Sequence, residues 1–176
     1  MIDQFMKVHI ILSCDTLSCK VGIKTKVLDE LIKMGLSKKE IHLLLGPAGL
    51  LIQIHGLKNL NEFIKKWFDP IRKITSKESI VDKMETLIVI SEGKSYIEEP
   101  YAFLFLNTQP SILDLVQEKL QSISKVLSAD TVFGPYDIIC AVKAKDNKGL
   151  QLLISQIQRK IPKIQVALTA IVASLY

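Results

Sequence analysis

Hydrophobic and polar positions in the second half of the chain predict a fixed order of elements. A continuous apolar run, YAFLFLN, starts at Tyr101, and a segment with apolar residues at helical spacing follows Pro110. A run rich in β-branched residues ends at the turn GPYD, and DIICAVKA then predicts the second arm of a hairpin. Another helical pattern, capped at Asp146 or Asn147, leads to a last apolar strand. The predicted order is β-α-β-β-α-β.

The first half repeats this plan element by element. Each hairpin turns at a Gly-Pro step, at Gly46 in the first half and 88 residues later at Gly134. Thr86 and Thr169 occupy matching places in the last predicted strand of each half. The matched apolar runs are VHIILS with YAFLFL, and METLIVIS with ALTAIVAS. Self-similarity of this kind indicates two copies of one supersecondary unit.

A polar stretch, EGKSYIEEP at 92–100, separates the two copies and is typical of a linker. In a β-α-β-β-α-β unit the helices cover one face of the sheet, and the other face needs a partner. We therefore expect an α+β protein of two tandem βαββαβ domains, residues 1–93 and 94–176, that pack on each other as an internal pseudo-dimer.

Composition favours a globular protein and argues against several other classes. The chain has 176 residues, of which 48% are hydrophobic, enough for a packed core. Its apolar runs stop far short of the roughly 20 residues that a membrane helix needs, so we expect no membrane span. The N-terminus lacks the basic start of a signal peptide, which favours a cytoplasmic protein. The net charge of +5 is spread along helices and does not form a nucleic-acid patch.

The second copy resembles a known family of domains. From Tyr101 to Ser174 the apolar first strand, the GPYD turn, the KIP after the second helix and the TAIV of the last strand resemble the effector-binding (RAM) domain of the Lrp/AsnC transcription regulators. The resemblance implies ferredoxin-like domains of the dimeric α+β barrel type, assembly into oligomers, and binding of a small effector, usually an amino acid. The first copy resembles the domain only in element order, in its Gly-Pro turn and in Thr86, which makes it a degenerate RAM-like domain.

The resemblance also implies a ligand site near the turn between the second and third strands of the second copy. Carried over residue by residue, it consists of Gly134, Tyr136, Asp137 and Thr169. A Gly-Pro turn leaves backbone N–H groups for a ligand carboxylate, and an aspartate suits an α-ammonium. The alternative for Asp137 is a turn acid that accepts from nearby N–H groups. The first copy reads GPAG at 46–49 and lacks both the aromatic residue and the acid, so it should not bind a zwitterion in the same way.

Few other residues suggest a metal or catalytic site. His9, His42 and His55 all lie in the first half, where His9 and His55 could approach each other, but no third ligand is evident. Cys14 and Cys19 form a C-x4-C, a wider spacing than that of ordinary zinc pairs. The sequence contains no nucleophile elbow, zinc-protease motif or phosphate loop. We therefore expect no enzyme, no cofactor and no bound metal.

These observations together predict a stand-alone tandem module that binds a small effector or co-assembles with Lrp/AsnC-type regulators. Regulators of that family carry an N-terminal helix-turn-helix, whereas only about seven residues precede the first strand here, so we expect no DNA binding through that motif. Homo-oligomers are expected because the family assembles in this way. The alternatives are an enzyme of the dimeric ferredoxin-like group and a structural adaptor with a vestigial pocket.

Overall fold

The computed structural model describes residues 5–13, 26–78 and 81–173. The chain divides into two compact units, which we call the first unit (residues 1–88 with 173–176) and the second unit (residues 89–172). Within the described ranges, no helix is both long enough and apolar enough to cross a membrane.

The first unit is an antiparallel sheet with helices on one face. Its strands are β1 (Met6–Ser13), β2 (Ile41–Leu45), β3 (Ala48–Leu57) and β4 (Lys83–Ser91), the last of which ends inside the second unit. Strand β1 pairs with both β3 and β4, and β2 pairs with β3. Its helices are α1 (Leu28–Lys33), α2 (Leu60–Phe63) and α3 (Asp69–Glu78), with a π-helical segment, Ile64–Phe68, between the last two.

The core of the first unit lies between this sheet and its helices. Alternate residues of β1 enter it, as the two-residue period of a strand requires. Its members include Val8, Ile10, Phe63, Trp67 and Ile71. Asn59 caps α2, because its side-chain oxygen accepts a hydrogen bond from the Glu62 N–H at 3.0 Å.

The second unit follows the same order of elements. It contains β5 (Ala102–Asn107), α4 (Leu113–Gln121), β6 (Val126–Phe133), β7 (Ile138–Val142), α5 (Asn147–Lys160) and β8 (Gln165–Val172). Strand β5 pairs with β7 and β8, and β6 pairs with β7, all antiparallel. Its helix-facing core includes Leu104, Leu120, Cys140, Leu153 and Ile157. Asp146 caps α5 through the Gly149 N–H at 2.7 Å, as the sequence predicts.

The predicted fold class, two tandem ferredoxin-like βαββαβ domains, is wrong. The eight strands in the described part of the chain instead close into one barrel in the order β1-β3-β2-β8-β5-β7-β6-β4, an arrangement that resembles the dimeric α+β barrel fold. An open four-stranded sheet leaves two edges with unpaired backbone N–H and C=O groups, and barrel closure removes such edges. The residue pattern along single strands does not encode which edges pair, so closure within one chain could not be derived from periodicity.

The end of β4 and the start of the predicted linker are held by hydrogen bonds to other residues of the second unit. The Ser91 hydroxyl donates to Gln117 Oε1 at 3.1 Å, and Gln117 Nε2 donates back to the Ser91 carbonyl at 3.1 Å. Two residues further on, the Gly93 N–H donates to Oδ1 of the buried Asp130 at 2.7 Å. This part of the polar stretch is therefore a fixed element of the fold, although its composition is that of a linker.

Candidate functional site

The turn between β6 and β7 carries three of the four predicted ligand residues. The Val132 N–H donates to the carbonyl of Asp137 at 2.9 Å, which closes the turn. The Asp137 N–H donates to the carbonyl of Leu106 at 3.0 Å, which ties the turn to the end of β5. The backbone of Gly134, Tyr136 and Asp137 is thus held against a neighbouring strand.

Both Gly-Pro turns have a positive φ at their glycine. Gly46 has φ of 108°, in the left-handed region that favours glycine. Gly134 has φ of 159°, at the border between that region and extended backbone. The glycine of the first unit therefore has the clearer backbone requirement.

Asp137 is partly buried, and one of its oxygens is engaged. The Thr108 N–H donates to Asp137 Oδ2 at 2.8 Å, and among the described residues Thr108 is the one donor to this carboxylate. Through Oδ2, Asp137 thus accepts a hydrogen bond from a nearby N–H group, which is the alternative role that the sequence predicts for it. The same bond fixes the direction of the carboxylate.

Tyr136 packs against the strand beside the turn. Its ring centroid lies 5.0 Å from that of Phe105, with the two planes tilted by 48°. Phe105 is fully buried, and its chain neighbours Leu104 and Leu106 belong to the helix-facing core. Tyr136 therefore covers the sheet face that points away from the helices.

Thr169 lies on the other face of the sheet. It is the register partner of Leu104, and directly opposed residues of an antiparallel pair share a face. Leu104 belongs to the helix-facing core, so Thr169 lies on the helix side. The structure thus brings Gly134, Tyr136 and Asp137 together and leaves Thr169 apart from them.

Thr108 is a residue of this site that the sequence analysis missed. Its N–H orients Asp137, and its own Oγ1 is buried without a hydrogen-bond partner among the described residues. The available signal was topological: Thr108 follows β5, which pairs with the strand that the GPYD turn begins. No motif marks the position.

A second polar cluster lies in the first unit. His42 Nε2 is 3.2 Å from Gln53 Oε1, and Gln53 Nε2 is 3.4 Å from His9 Nδ1, with all three side chains buried. Burial lowers the pKa of His42 to about 4, the hydrogen bond with Gln53 opposes that shift, and the charge of His9 adds to it. In the strand register His9 lies opposite Gln53, two residues from His55.

The remaining candidate metal ligands form no site in the part of the chain that the structure describes. No group of three or more His, Cys, Asp or Glu residues is placed there to hold a metal ion. Cys14 and Cys19 lie outside the described residues.

A surface cleft of about 380 Å³ lies beside α4, away from the predicted ligand residues. Its lining consists of Lys94, Asp114, Gln117, Glu118, Gln121 and Ser122. Lys94 Nζ donates to the Gln121 carbonyl at 2.8 Å, which satisfies a backbone oxygen at the end of this helix. The lysine therefore has a structural role in this cleft.

Comparison with known protein families supports the assignment of the second half. The model of the Lrp/AsnC ligand binding domain matches residues 101–176, which confirms the resemblance seen in the sequence. The match does not extend to the first half, so it does not confirm a tandem arrangement. No curated protein matches the chain.

Solved structures share the fold of nearly the whole chain. The siroheme decarboxylase NirDL, in complex with an iron-uroporphyrin III analogue, aligns with a TM-score of 0.62 and 9% identity over 98% of this chain and 72% of its own. An anthrone oxidase-like protein aligns with a TM-score of 0.57 and 12% identity over 98% of this chain and 93% of its own. At these identities the likeness shows the fold alone.

These neighbours contradict the prediction that the protein is not an enzyme. That prediction rested on missing motifs, yet the same fold is found in a decarboxylase and in an oxidase-like protein. A fold that occurs in such proteins is compatible with catalysis, and missing motifs do not exclude it. The likeness assigns no reaction to this chain.

Proposed function

We propose that the second copy, residues 94–176, binds a small effector, an amino acid, at the turn between β6 and β7. The observation that carries the proposal is the match of residues 101–176 to the Lrp/AsnC ligand binding domain. The geometry of the turn supports it, because a carboxylate of fixed direction and the backbone of a Gly-Pro turn lie side by side.

In this proposal each end of the zwitterion has its own partner. Asp137 Oδ1 accepts from the α-ammonium, while Oδ2 stays on the Thr108 N–H. Backbone N–H groups at Gly134 and Tyr136 donate to the α-carboxylate, and the Tyr136 ring lies beside it. Thr169, on the helix side of the sheet, does not touch the ligand. The first copy, residues 1–93, lacks the acid and does not bind this ligand.

The proposed partners follow from the same domain. The protein assembles with copies of itself and with a full-length Lrp/AsnC-type regulator in the cytoplasm, and the bound amino acid alters the stability of that assembly. Light scattering with and without a regulator of this type measures the assembly directly. A single 19.8 kDa species under all conditions would contradict this part of the proposal.

The test of the ligand site is the substitution Asp137→Asn. A panel of amino acids in a thermal-shift assay identifies the effector, because a ligand of the folded state raises the unfolding midpoint. A charge-assisted hydrogen bond contributes roughly 1.5–3 kcal/mol, so calorimetry should show affinity weakened about tenfold or more in Asp137→Asn.

The matched control is Asp114→Asn, which removes an exposed acid from α4 in the same unit. Its affinity should equal that of the wild type. The site assignment fails if Asp137→Asn binds the effector as tightly as this control.

A second candidate function is an enzyme of the dimeric ferredoxin-like group. The observation that favours it is the buried His9, Gln53 and His42 cluster, because imidazoles are the commonest acid–base groups in catalysis. Turnover of a small molecule by the purified protein, lost in His42→Gln, would support this candidate. If neither ligand nor turnover is found, the structural adaptor is the remaining alternative.

A further inference from the structure

The helical run that follows β3 exposes a row of cations. It covers residues 60–78 and consists of α2, the π-helical segment and α3. From residue 62 to residue 77, six of its residues are exposed, and none of the six is acidic or apolar. Five are basic and one is a serine: Lys65, Lys66, Arg72, Lys73, Ser76 and Lys77. Along the sequence these charges look evenly spread, whereas the fold leaves them together on the surface of the first unit.

A four-residue period keeps the cations on one face of the run. The buried residues of the run lie four positions apart: they are Phe63, Trp67, Ile71 and Thr75. In a regular α-helix of 3.6 residues per turn, such a row rotates by about 40° at each step. The wider turns of the π-helical segment offset part of this rotation. Lys65, Lys73 and Lys77 lie half a period from the buried row and therefore project away from the core.

Most of these cations are not paired with an acid. Asp69 is the single acid in residues 64–77, and it forms an ion pair with Arg72 at 3.5 Å. Lys66 Nζ lies 5.3 Å from the ring centroid of Trp67. The other three cations form no ion pair with any side chain in the described part of the chain: they are Lys65, Lys73 and Lys77. The last two are four residues apart on a helix, where like charges repel, so folding does not explain their presence.

The equivalent helix of the second unit shows that solvation of this surface does not require lysine. Helix α5 follows β7 as the helical run follows β3. The exposed positions in the middle of α5 are uncharged: they are Gln151, Leu152, Ser155 and Gln158. Its cations lie near its two ends, at Lys148, Arg159 and Lys160, and the last two are favoured there by the helix dipole. Neither reason accounts for cations along the whole of the first unit's run.

We propose that the exposed face of this run binds the phosphate backbone of a nucleic acid duplex without reading its sequence. At 1.5 Å per residue, Lys65 and Lys77 are about 18 Å apart along the helix, and duplex DNA carries about ten phosphates over that length. The five cations of the face therefore meet enough phosphates to be matched one to one. This contact uses no helix-turn-helix and does not depend on the effector proposed above.

The composition of the face favours nucleic acid over a protein or a membrane. The core of a protein interface is apolar and depleted in lysine. A helix that lies on a membrane inserts apolar side chains from the face that it presents. Here the apolar side chains of the run, such as Ile64, Phe68 and Ile74, pack against the core of the first unit. A polymer of evenly spaced phosphates needs only the complementary charge that this face supplies.

The experiment measures binding of the full chain to labelled DNA duplexes by fluorescence anisotropy. Two duplexes of about 20 base pairs and unrelated sequence are titrated between about 50 and 200 mM salt. Both should bind with the same affinity, and log K should fall against log salt with a slope of about −3 to −4, since each neutralised phosphate contributes about −0.9. A duplex RNA is titrated alongside, and its affinity relative to DNA identifies which duplex the face prefers. The proposal is overturned if no duplex binds at the lowest salt or if the slope is flatter than about −1.

Two double variants with the same change in charge separate this face from the net charge of the protein. Lys65→Gln with Lys73→Gln removes two cations from the face, so the slope should become less steep by about 2 and the affinity at low salt should fall about 100-fold. Lys148→Gln with Lys160→Gln removes two exposed cations from α5 and should leave the slope unchanged. All four lysines are exposed, so both variants should fold. Equal losses in the two variants would overturn the assignment to this face.

A variant that gains affinity and two other polyanions complete the test. Asp69→Asn removes the acid of the face and releases Arg72, so it should steepen the slope by about 1 and tighten binding about tenfold at low salt. Unchanged or weaker binding in this variant would contradict the proposal. Polyglutamate and vesicles that contain phosphatidylserine are titrated at the same salt. Weaker binding of both supports a nucleic acid partner, and binding of either that is as tight as that of the duplex overturns it.

Discussion

Thr86 and Thr169 occupy equivalent positions in the last strands of the two units. Each is the register partner of a residue at the middle of the unit's first strand, Ile10 and Leu104 respectively. Both partners belong to a helix-facing core, so both threonines lie on the helix side of their sheet. The repeat seen in the sequence thus has a structural counterpart, and at this position it concerns packing.

The Thr86 hydroxyl should cost stability where it stands. Its Oγ1 is buried and has no hydrogen-bond partner among the described residues. Leaving such a group unsatisfied costs about 1–3 kcal/mol, so Thr86→Val should raise the free energy of unfolding by about 1 kcal/mol. Thr131→Val is the control, because the buried Thr131 hydroxyl donates to the Ser91 carbonyl at 3.5 Å. Urea denaturation should show that Thr86→Val is more stable than the wild type and that Thr131→Val is less stable. Equal losses of stability in both variants would contradict this prediction.

The predicted ligand residues show which part of a site a sequence reveals. Gly134, Tyr136 and Asp137 lie in one contiguous turn, so a local motif is enough to bring them together. Thr108 joins them through a pairing between strands, and no local pattern encodes that contact. Thr169 was assigned without knowledge of which face of β8 it occupies, and the register with Leu104 decides that face.

The helix that follows β3 shows how a proline can be accommodated within a helical run. The sequence places Asp69-Pro70 after an apolar helical segment, which suggests an end there. In the structure the run continues to Glu78, with a π-helical turn, Ile64–Phe68, just before Pro70. Pro70 lies just after this π-helical turn, and the local change in hydrogen-bond pattern accommodates a residue that has no N–H to donate.

The segment that leaves β4 is bound closely enough to require glycine at position 93. A Cβ added to Gly93 would lie 2.5 Å from the Ala129 nitrogen and 2.7 Å from the Ala129 oxygen, and it would also clash with Ser128 Oγ. Two of these contacts are with backbone, which cannot move aside as a side chain does. The glycine is needed here for space, since its φ lies outside the left-handed region.

Gly93→Ala should therefore destabilise the protein by about 2 kcal/mol or more, measured as the free energy of unfolding. The substitution pushes the chain away from β6 and weakens the bond between the Gly93 N–H and Asp130. Gly149→Ala is the matched control, because its Cβ would lie 3.3 Å from the Asp146 side chain in the first turn of α5. Alanine's better helix propensity offsets that contact, so the control should stay within about 1 kcal/mol of the wild type. Similar losses in both variants would show that Gly93 is not constrained by Ala129.

At the scale of the whole molecule, each unit has one residue that reports on its core. Trp67 serves the first unit, and Cys140 on β7 serves the second. Cys140 is fully buried, and burial raises the pKa of its thiol far above the ordinary range, with the charge of Asp130 adding to the shift. Two separate barriers therefore protect the thiol: reagent cannot reach it, and the reactive thiolate does not form.

Cys140 should react with a thiol reagent only when the second unit opens. In a Cys14→Ser, Cys19→Ser double variant it is the one remaining cysteine of the chain, so modification by a disulfide reagent reports this site alone. At neutral pH the rate should be at least about 10³-fold below that of the unfolded chain in concentrated urea, because opening of a core strand costs most of the free energy of unfolding. The rate should rise with sub-denaturing urea, in step with the fall in stability. A rate that is fast and independent of urea would mean that β7 is accessible in the folded state, contrary to its place in the core.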